Sequence, residues 1–198
     1  SYYCVARPMI LEISFTGSTP VGKRLAALAG SHMKRVTMEL GGHAPALVFE
    51  DADVKQAAKL LSAAKFRNAG QVCVSPTRFM VHERVYDDFV EQFTAAAKAL
   101  VVGDGLDEAT QMGPLANLRR VEAMDALVSD AVQRGARIRT GGRRLRNDGF
   151  FFQPTVLTDV PLDSRIMNEE PFGPVVPIAS FSTFEDAMVE ANRLPYGL

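Results

Sequence analysis

Hydrophobic and polar positions follow two different periods along this chain, one typical of strands and one typical of helices. Seven segments have the short apolar or alternating pattern of strands: residues 12–16, 35–40, 45–49, 77–81, 137–140, 151–157 and 176–181. Five segments carry apolar residues at helical spacing: from Val21 through Ala29, from Asp53 towards Cys73, 83–100, from Asn117 up to Gly135, and 184–192. Strands that alternate with helices predict an α/β fold, with a largely parallel sheet and flanking helices.

The segment from Gly17 to Gly22 joins the first predicted strand to the first predicted helix. A glycine turn that leads into a helix directs free backbone N–H groups toward one point, which suits a phosphate group. An ordinary strand-to-helix turn has the same sequence features. The segment alone therefore leaves both interpretations open.

A carboxylate stands at the end of the second predicted strand, where Glu39 is followed by Leu40, Gly41 and Gly42. Glycines leave room beside a strand end, so the Glu39 side chain is well placed to reach into a cleft. The alternative is an exposed charge that precedes a turn.

A thiol follows the helix that begins near Asp53. The stretch from Lys65 to Ser75 contains a helix end, the turn residue Gly70 and then Cys73. On a loop the cysteine side chain is accessible to a substrate, and its deprotonated form, the thiolate, is a nucleophile. A lone cysteine is also a common buried hydrophobe, so Cys73 needs further motifs to be interpreted.

The composition excludes few functions, but its charge balance argues against some classes of binding partner. The 198 residues include 22 Lys and Arg against 23 Asp and Glu, for a net charge of −1. Near balance offers no electrostatic reason for a nucleic acid or an anionic membrane as partner. Two cysteines and three histidines lack metal-site spacing, so no metal is expected. Few cysteines suit a reducing compartment, and we expect the cytoplasm.

Four motifs in fixed order add to these observations. They are Phe15-Thr16-Gly17-Ser18 with Gly22, Glu39-Leu40-Gly41-Gly42, Gly70-Gln71-x-Cys73, and Glu170-x-Phe172-Gly173-Pro174. In residue type, order and spacing the set resembles the aldehyde dehydrogenase superfamily. Within that superfamily, the stretch from Lys65 to Gln71 is similar to the succinate-semialdehyde dehydrogenase group.

The resemblance implies an aldehyde-dehydrogenase-like fold and the oxidation of a small-molecule aldehyde to its acid with NAD or NADP. Cys73 would attack the aldehyde and pass through a thiohemiacetal and a thioester, and Glu39 would activate water. Arg67, six positions before Cys73, would contact the carboxylate of succinate semialdehyde, although a surface cation at a helix end remains the alternative. The residues expected to bind the cofactor are Gly17, Ser18, Gly22, Leu40, Glu170 and Phe172.

The same resemblance predicts a division of the chain. Residues 1–42 would be the C-terminal part of a dinucleotide-binding domain, and residues 43–198 a catalytic domain that is incomplete at its C-terminal end. The full-length protein would form a homo-oligomer, and the isolated chain would be an inactive fragment. The resemblance does not decide between NAD and NADP.

Two other functions remain open at this point. One is a cysteine acyl-transferase or thiol hydrolase that uses Cys73 and Glu39 without a nicotinamide cofactor. Such an enzyme has no use for the Ser18 motif or for the motif from Glu170 to Phe172. The other is a non-catalytic remnant that binds a partner.

Overall fold

A computed structural model describes residues 2–145 and 148–198 and divides the chain into two compact units. The first unit runs up to Gly42 and includes Leu198, and the second runs from His43 to Gly197. Within the described residues no helix is both long and apolar enough to cross a membrane.

The first unit is built on two parallel strands. It contains α1 (Tyr2–Val5), β1 (Glu12–Gly17), α2 (Thr19–Ser31) and β2 (Arg35–Leu40). Strand β1 pairs with β2 in parallel, so α2 is the crossover helix that such a pair requires. The predicted strand–helix–strand order is therefore confirmed in this unit.

The second unit is organised on a five-stranded sheet in the order β3-β4-β7-β6-β5. Its strands are β3 (Pro45–Val48), β4 (Arg78–His82), β5 (Arg137–Thr140), β6 (Thr155–Thr158) and β7 (Val175–Phe181). Three of the four pairings are parallel, and only β5 runs antiparallel, to β6. The predicted α/β fold with a largely parallel sheet is confirmed.

Helices connect these strands. They are α3 (Val54–Phe66), α4 (Tyr86–Ala99), α5 (Leu118–Gln133), α6 (Arg165–Asn168) and α7 (Phe184–Ala191), with 3₁₀ turns at Arg67–Gly70 and Glu83–Val85. Side-chain caps start three of them, because Asp53, Asn117 and Thr183 each accept a hydrogen bond from a backbone N–H in the first turn.

The hydrophobic core of the second unit lies where α3, α4 and α5 pack on the sheet. Phe89 and Phe93, which the helical spacing of the sequence directs inward, are 0% exposed. Phe93 packs against Phe66 and Phe79 with ring centroids 5.9 and 5.1 Å apart. Aromatic side chains thus join α3, α4 and the interior strand β4.

One predicted strand begins too early. The sequence pattern predicts a strand from Phe151, but β6 begins at Thr155. Pro154 lacks the N–H that a ladder needs, and the preceding residues bond elsewhere. Gln153 N–H donates to the Arg143 carbonyl and Leu145 N–H donates to the Phe151 carbonyl, so residues 151–153 pair with a loop.

Candidate active site

The first unit brings its predicted site residues together at the C-terminal ends of β1 and β2. The parallel register places Gly17 opposite Leu40 and Thr16 opposite Glu39. Glu39 is exposed, so its carboxylate is accessible at the end of β2. In open α/β sheets this edge is where ligands bind.

The turn before α2 keeps backbone donors available. Ser18 is the extended N-cap residue of α2, and its hydroxyl makes no capping hydrogen bond. The first turn contains no acidic residue, so the positive end of the helix dipole is not neutralised there. Gly22 packs so tightly on Leu40 that a Cβ atom would overlap the leucine side chain. These features suit an anion at the helix N-terminus.

In the second unit, the chain leaves α3 through an unusual turn. Asn68, Ala69 and Gly70 all have left-handed backbone angles, with φ of 51°, 54° and 73°. Non-glycine residues rarely adopt this region, and clusters of them mark functional sites. The Asn68 amide stabilises the turn by donating to the Gln71 carbonyl at 3.0 Å.

Gln71 fixes the end of the turn to a distant loop. Its Nε2 donates to the Asn68 carbonyl at 3.1 Å, and its Oε1 accepts from Ala116 N–H at 2.8 Å. Two residues later, Cys73 is a free and exposed cysteine. Arg67 is also exposed, at the C-terminal end of α3. The predicted loop position of the Cys73 thiol is therefore what the structure has.

The loop from Glu170 to Pro174 packs directly on this turn. A Cβ atom at Gly70 would overlap the Gly173 carbonyl oxygen, so only glycine allows the contact. Phe172 has a left-handed φ of 42°. Arg120 on α5 donates to the Pro171 carbonyl at 2.9 Å. The structure thus brings the Glu170 loop against the turn that carries Cys73.

Two cations that the sequence analysis did not select face Glu170. Lys65 is 0% exposed, and burial lowers its pKa to about 7, while the Glu170 charge opposes that shift. Burial also lowers the pKa of Arg120, again opposed by Glu170. A signal for Lys65 exists in the sequence, because it follows Leu61 by four positions on the apolar face of α3.

The buried side chain of His43 is held inside the fold by both of its ring nitrogens. His43 bonds the Thr77 hydroxyl at 2.7 Å and the Ile166 carbonyl at 3.0 Å through its two ring nitrogens. Burial, and next the Arg78 charge, lower the pKa of His43 to about 3. Among residues 2–145 and 148–198, no cluster of His, Cys, Asp and Glu side chains could hold a metal ion.

Comparisons with known proteins agree on one family. The pattern of the aldehyde dehydrogenase family matches residues 3–198. The chain is 49% identical over 187 residues to succinate-semialdehyde dehydrogenase of Paenarthrobacter nicotinovorans, covering 94% of this chain and 42% of that one. It is 48% identical over 194 residues to 4-(hydroxymethyl)benzenesulfonate dehydrogenase of Comamonas testosteroni, covering 98% and 40%.

A third relative is the NADP⁺ succinate-semialdehyde dehydrogenase of Escherichia coli, 42% identical over 193 residues, covering 98% of this chain and 40% of the relative. Among solved structures, succinate-semialdehyde dehydrogenase from Burkholderia pseudomallei superimposes with a TM-score of 0.96 at 42% identity, covering 99% of this chain and 41% of that one. The chain therefore spans about 40% of the length of these relatives. The chain belongs to the aldehyde dehydrogenase family.

Proposed function

We propose that this chain supplies the nucleophile and part of the cofactor site of an NAD(P)-dependent aldehyde dehydrogenase. One observation carries the proposal. Cys73 is exposed on a loop that the left-handed turn at residues 68–70 and the two Gln71 hydrogen bonds hold in place. A rigid backbone around an accessible thiol is expected of a nucleophile and is unnecessary for a buried structural cysteine.

In this proposal the Cys73 thiolate attacks the aldehyde carbon and forms a thiohemiacetal. The backbone N–H of Cys73 stabilises the oxyanion. Loss of hydride from the tetrahedral carbon gives a thioester on Cys73. Glu39 then takes a proton from water, and the hydroxide that attacks the thioester releases the carboxylic acid.

The residues present fit a dinucleotide. The N-terminus of α2 suits a phosphate group, because the Ser18 hydroxyl makes no capping hydrogen bond and the first turn contains no acidic residue. Glu170 would accept hydrogen bonds from the nicotinamide ribose hydroxyls, and Phe172 would pack beside the nicotinamide. When bound, the cofactor supplies the hydride acceptor. Gly17, Gly22 and Leu40 shape the turn that approaches it.

The proposed substrate is an aldehyde with an anionic group at its far end. Arg67 is exposed six positions before Cys73, and a guanidinium suits a carboxylate or sulfonate. Two relatives are named for compounds that carry an anionic group: one for succinate semialdehyde, and the other for 4-(hydroxymethyl)benzenesulfonate, a sulfonated alcohol. Succinate semialdehyde is our first candidate, and an aromatic sulfonate aldehyde is the second.

The nucleophile is tested with the two cysteines of the chain. In the full-length gene product, Cys73→Ser should abolish aldehyde-dependent reduction of NAD and NADP while cofactor binding persists. Cys4→Ser is the matched control, because Cys4 is also an exposed cysteine. Turnover that survives Cys73→Ser, or is lost with Cys4→Ser, would remove Cys73 from this role.

The general base has its own kinetic signature. Glu39→Gln should give a burst of reduced cofactor, about one equivalent per Cys73, and then stall because the thioester is no longer hydrolysed. Stopped-flow absorbance of the reduced nicotinamide measures the burst. A normal steady-state rate would show that another group activates water.

Substrate choice is tested through Arg67. Arg67→Leu should raise KM for succinate semialdehyde about ten- to a hundredfold, since a hydrogen bond to a charged group contributes about 1.5–3 kcal/mol. The KM for an uncharged aldehyde of the same length should change little. Lys59→Leu, at an exposed position of α3, controls for loss of any surface cation. Equal losses on both substrates would assign Arg67 to structure.

We also propose that turnover needs more than these 198 residues, because the relatives are about two and a half times as long. Holding the reactants in position can supply about 7–11 kcal/mol of a barrier. Residues 1–198 alone should therefore be alkylated at Cys73 without reducing cofactor. The full-length protein is expected in the cytoplasm as a homo-oligomer.

A further inference from the structure

Lys65 is a buried lysine whose burial is energetically unfavourable, and it has no role in the proposed chemistry. It lies in the last turn of α3 and is 0% exposed. Within the described part of the chain its Nζ has no hydrogen-bond partner. Lysine is almost never fully buried unless it is paired, and burying an ammonium group without compensation is strongly unfavourable. The fold therefore keeps Lys65 for an electrostatic reason.

The opposite charge that acts on Lys65 is that of Glu170. Its carboxylate favours the charged form of Lys65 from the loop and also favours the charged form of Arg120 on α5. Arg120 is tied to the same loop by its hydrogen bond to the Pro171 carbonyl at 2.9 Å, and its Nε is buried without a hydrogen-bond partner in the described residues. A buried lysine and a half-buried arginine on two different helices are thus both attracted by one carboxylate.

The backbone places this arrangement next to the nucleophile. Lys65 precedes the turn at Arg67–Gly70, and the contact between Gly70 and the Gly173 carbonyl presses that turn against the Glu170 loop. An ionised carboxylate offers about four lone-pair directions. It can therefore be attracted by the buried ammonium and still accept from ribose hydroxyls.

We propose that Lys65 is a positioning residue, whose buried ammonium holds the Glu170 carboxylate in the orientation that binds the nicotinamide ribose. The proposal rests on the proposed function, since it assigns Lys65 a role toward the cofactor. It also makes cofactor affinity depend on the charge of one buried side chain.

Charge on Lys65 changes near neutral pH. Its pKa is lowered to about 7 by burial, so it is charged below pH 7 and loses its proton as the pH rises above 7. Arg120 stays charged throughout this range. His43, the other titratable group that the Lys65 charge affects, has a pKa of about 3 and stays neutral. Cofactor affinity should accordingly fall as the pH rises through neutrality.

The test is equilibrium binding of reduced cofactor to the full-length gene product, followed by nicotinamide fluorescence between pH 6 and pH 9. For the parent protein, Kd should rise about five- to tenfold across this range, less than for loss of a charged hydrogen bond, because Lys65 acts on Glu170 through its charge alone. Lys65→Met should have the weaker affinity at every pH and no such rise. Lys59→Met, which changes an exposed lysine of the same helix, should keep the parent profile.

A second variant keeps the test decisive if Lys65→Met does not fold. Glu170→Gln removes the carboxylate through which Lys65 acts, so it should abolish the pH-dependent rise while the parent retains it. Titration of a cofactor phosphate affects both proteins equally and cancels in this comparison. A rise that persists in Glu170→Gln or in Lys65→Met overturns the role of Lys65 alone. Absence of NADH and NADPH binding by the parent overturns the proposed function itself.

Discussion

Two buried cations in the second unit have opposite surroundings. Arg78, at the start of β4, is 1% exposed and meets a partner with every nitrogen. Its Nε donates to the His43 carbonyl at 3.0 Å, and its two terminal nitrogens donate to the Glu190 and Ala191 carbonyls at 2.8 and 3.0 Å. Lys65 is as deeply buried, and its ammonium has no hydrogen bond within the described residues.

The difference separates a structural charge from a functional one. A guanidinium presents five donors in a fixed fork, and around Arg78 the chain provides three carbonyls and the Glu190 carboxylate at 3.1 Å. These partners lie in the segment before β3 and at the end of α7, so the charge of Arg78 links β4 to both. Within the described residues the Lys65 ammonium makes no hydrogen bond, and its charge is attracted by the Glu170 carboxylate of the candidate cofactor loop.

Removal of the paired cation should have the largest effect on stability. Arg78→Met would leave the buried His43 carbonyl and the half-buried carbonyls of Glu190 and Ala191 without this donor. Among the described residues, the Glu190 carboxylate would keep only Arg193 as its partner. Loss of one partner from a buried charge pair costs about 3–5 kcal/mol, so we expect a loss of that size in denaturant unfolding. A change below about 1 kcal/mol would mean that water replaces the guanidinium and that the comparison with Lys65 has no basis.

Lys65 should behave in the opposite way in the same measurement. Its pKa falls from 10.5 to about 7 on folding, so between these values the unfolded state binds more protons and stability rises with pH. At about 1.4 kcal/mol per unit, the parent should gain about 3 kcal/mol relative to Lys65→Met between pH 7 and about pH 9.5. Parallel stability curves for the two proteins would show that the ammonium is solvated or well paired.

A smaller loss of stability is expected from a change at the contact between Gly70 and the Gly173 carbonyl, next to Lys65. Gly70→Ala places a methyl group on a residue with φ of 73° and against the Gly173 carbonyl oxygen. A left-handed alanine costs about 1–2 kcal/mol, and relief of the overlap would move the Cys73 turn away from the Glu170 loop. We expect a loss of about 2 kcal/mol and weaker binding of NADPH.

Gly113→Ala is the control for this change, because no atom of the described residues other than its chain neighbours lies within 4 Å of a Cβ at this position. It should leave stability and NADPH affinity near their parent values. If Gly70→Ala lowers stability but not affinity, the turn and the loop are not coupled in the way that the Lys65 proposal requires.

The sequence predicts the regular parts of this fold because they depend on local patterns. Alternation and helical spacing place most strands and helices within a few residues. The strand expected from Phe151 begins at Thr155 instead, because pairing of residues 151–153 with the loop near Arg143 and Leu145 depends on hydrogen bonds that no local pattern encodes. The antiparallel direction of β5 is equally a consequence of pairing.

The candidate site shows the same division. The exposed position of Cys73 and the turn at Gly70 follow from the sequence motif. The role of Lys65 does not, although its spacing from Leu61 places it on the buried face of α3. What makes it unusual is a loop about 100 residues later in the chain, and only the tertiary structure brings Glu170 to face it.

The smallest effect is expected where charge occurs without burial. Arg84 pairs with Glu50, and their side chains are 73% and 46% exposed. Exposed ion pairs contribute about 0–1 kcal/mol because water screens them and both side chains lose rotamer freedom. Arg84→Gln should therefore change the free energy of unfolding by less than about 1 kcal/mol, and 1 M NaCl should reduce the difference further. Urea unfolding of this variant beside Arg78→Met compares two arginines of neighbouring elements that differ mainly in burial. A loss from Arg84→Gln as large as that from Arg78→Met would show that charge pairing alone, and not burial with full hydrogen bonding, determines what an arginine contributes to this fold.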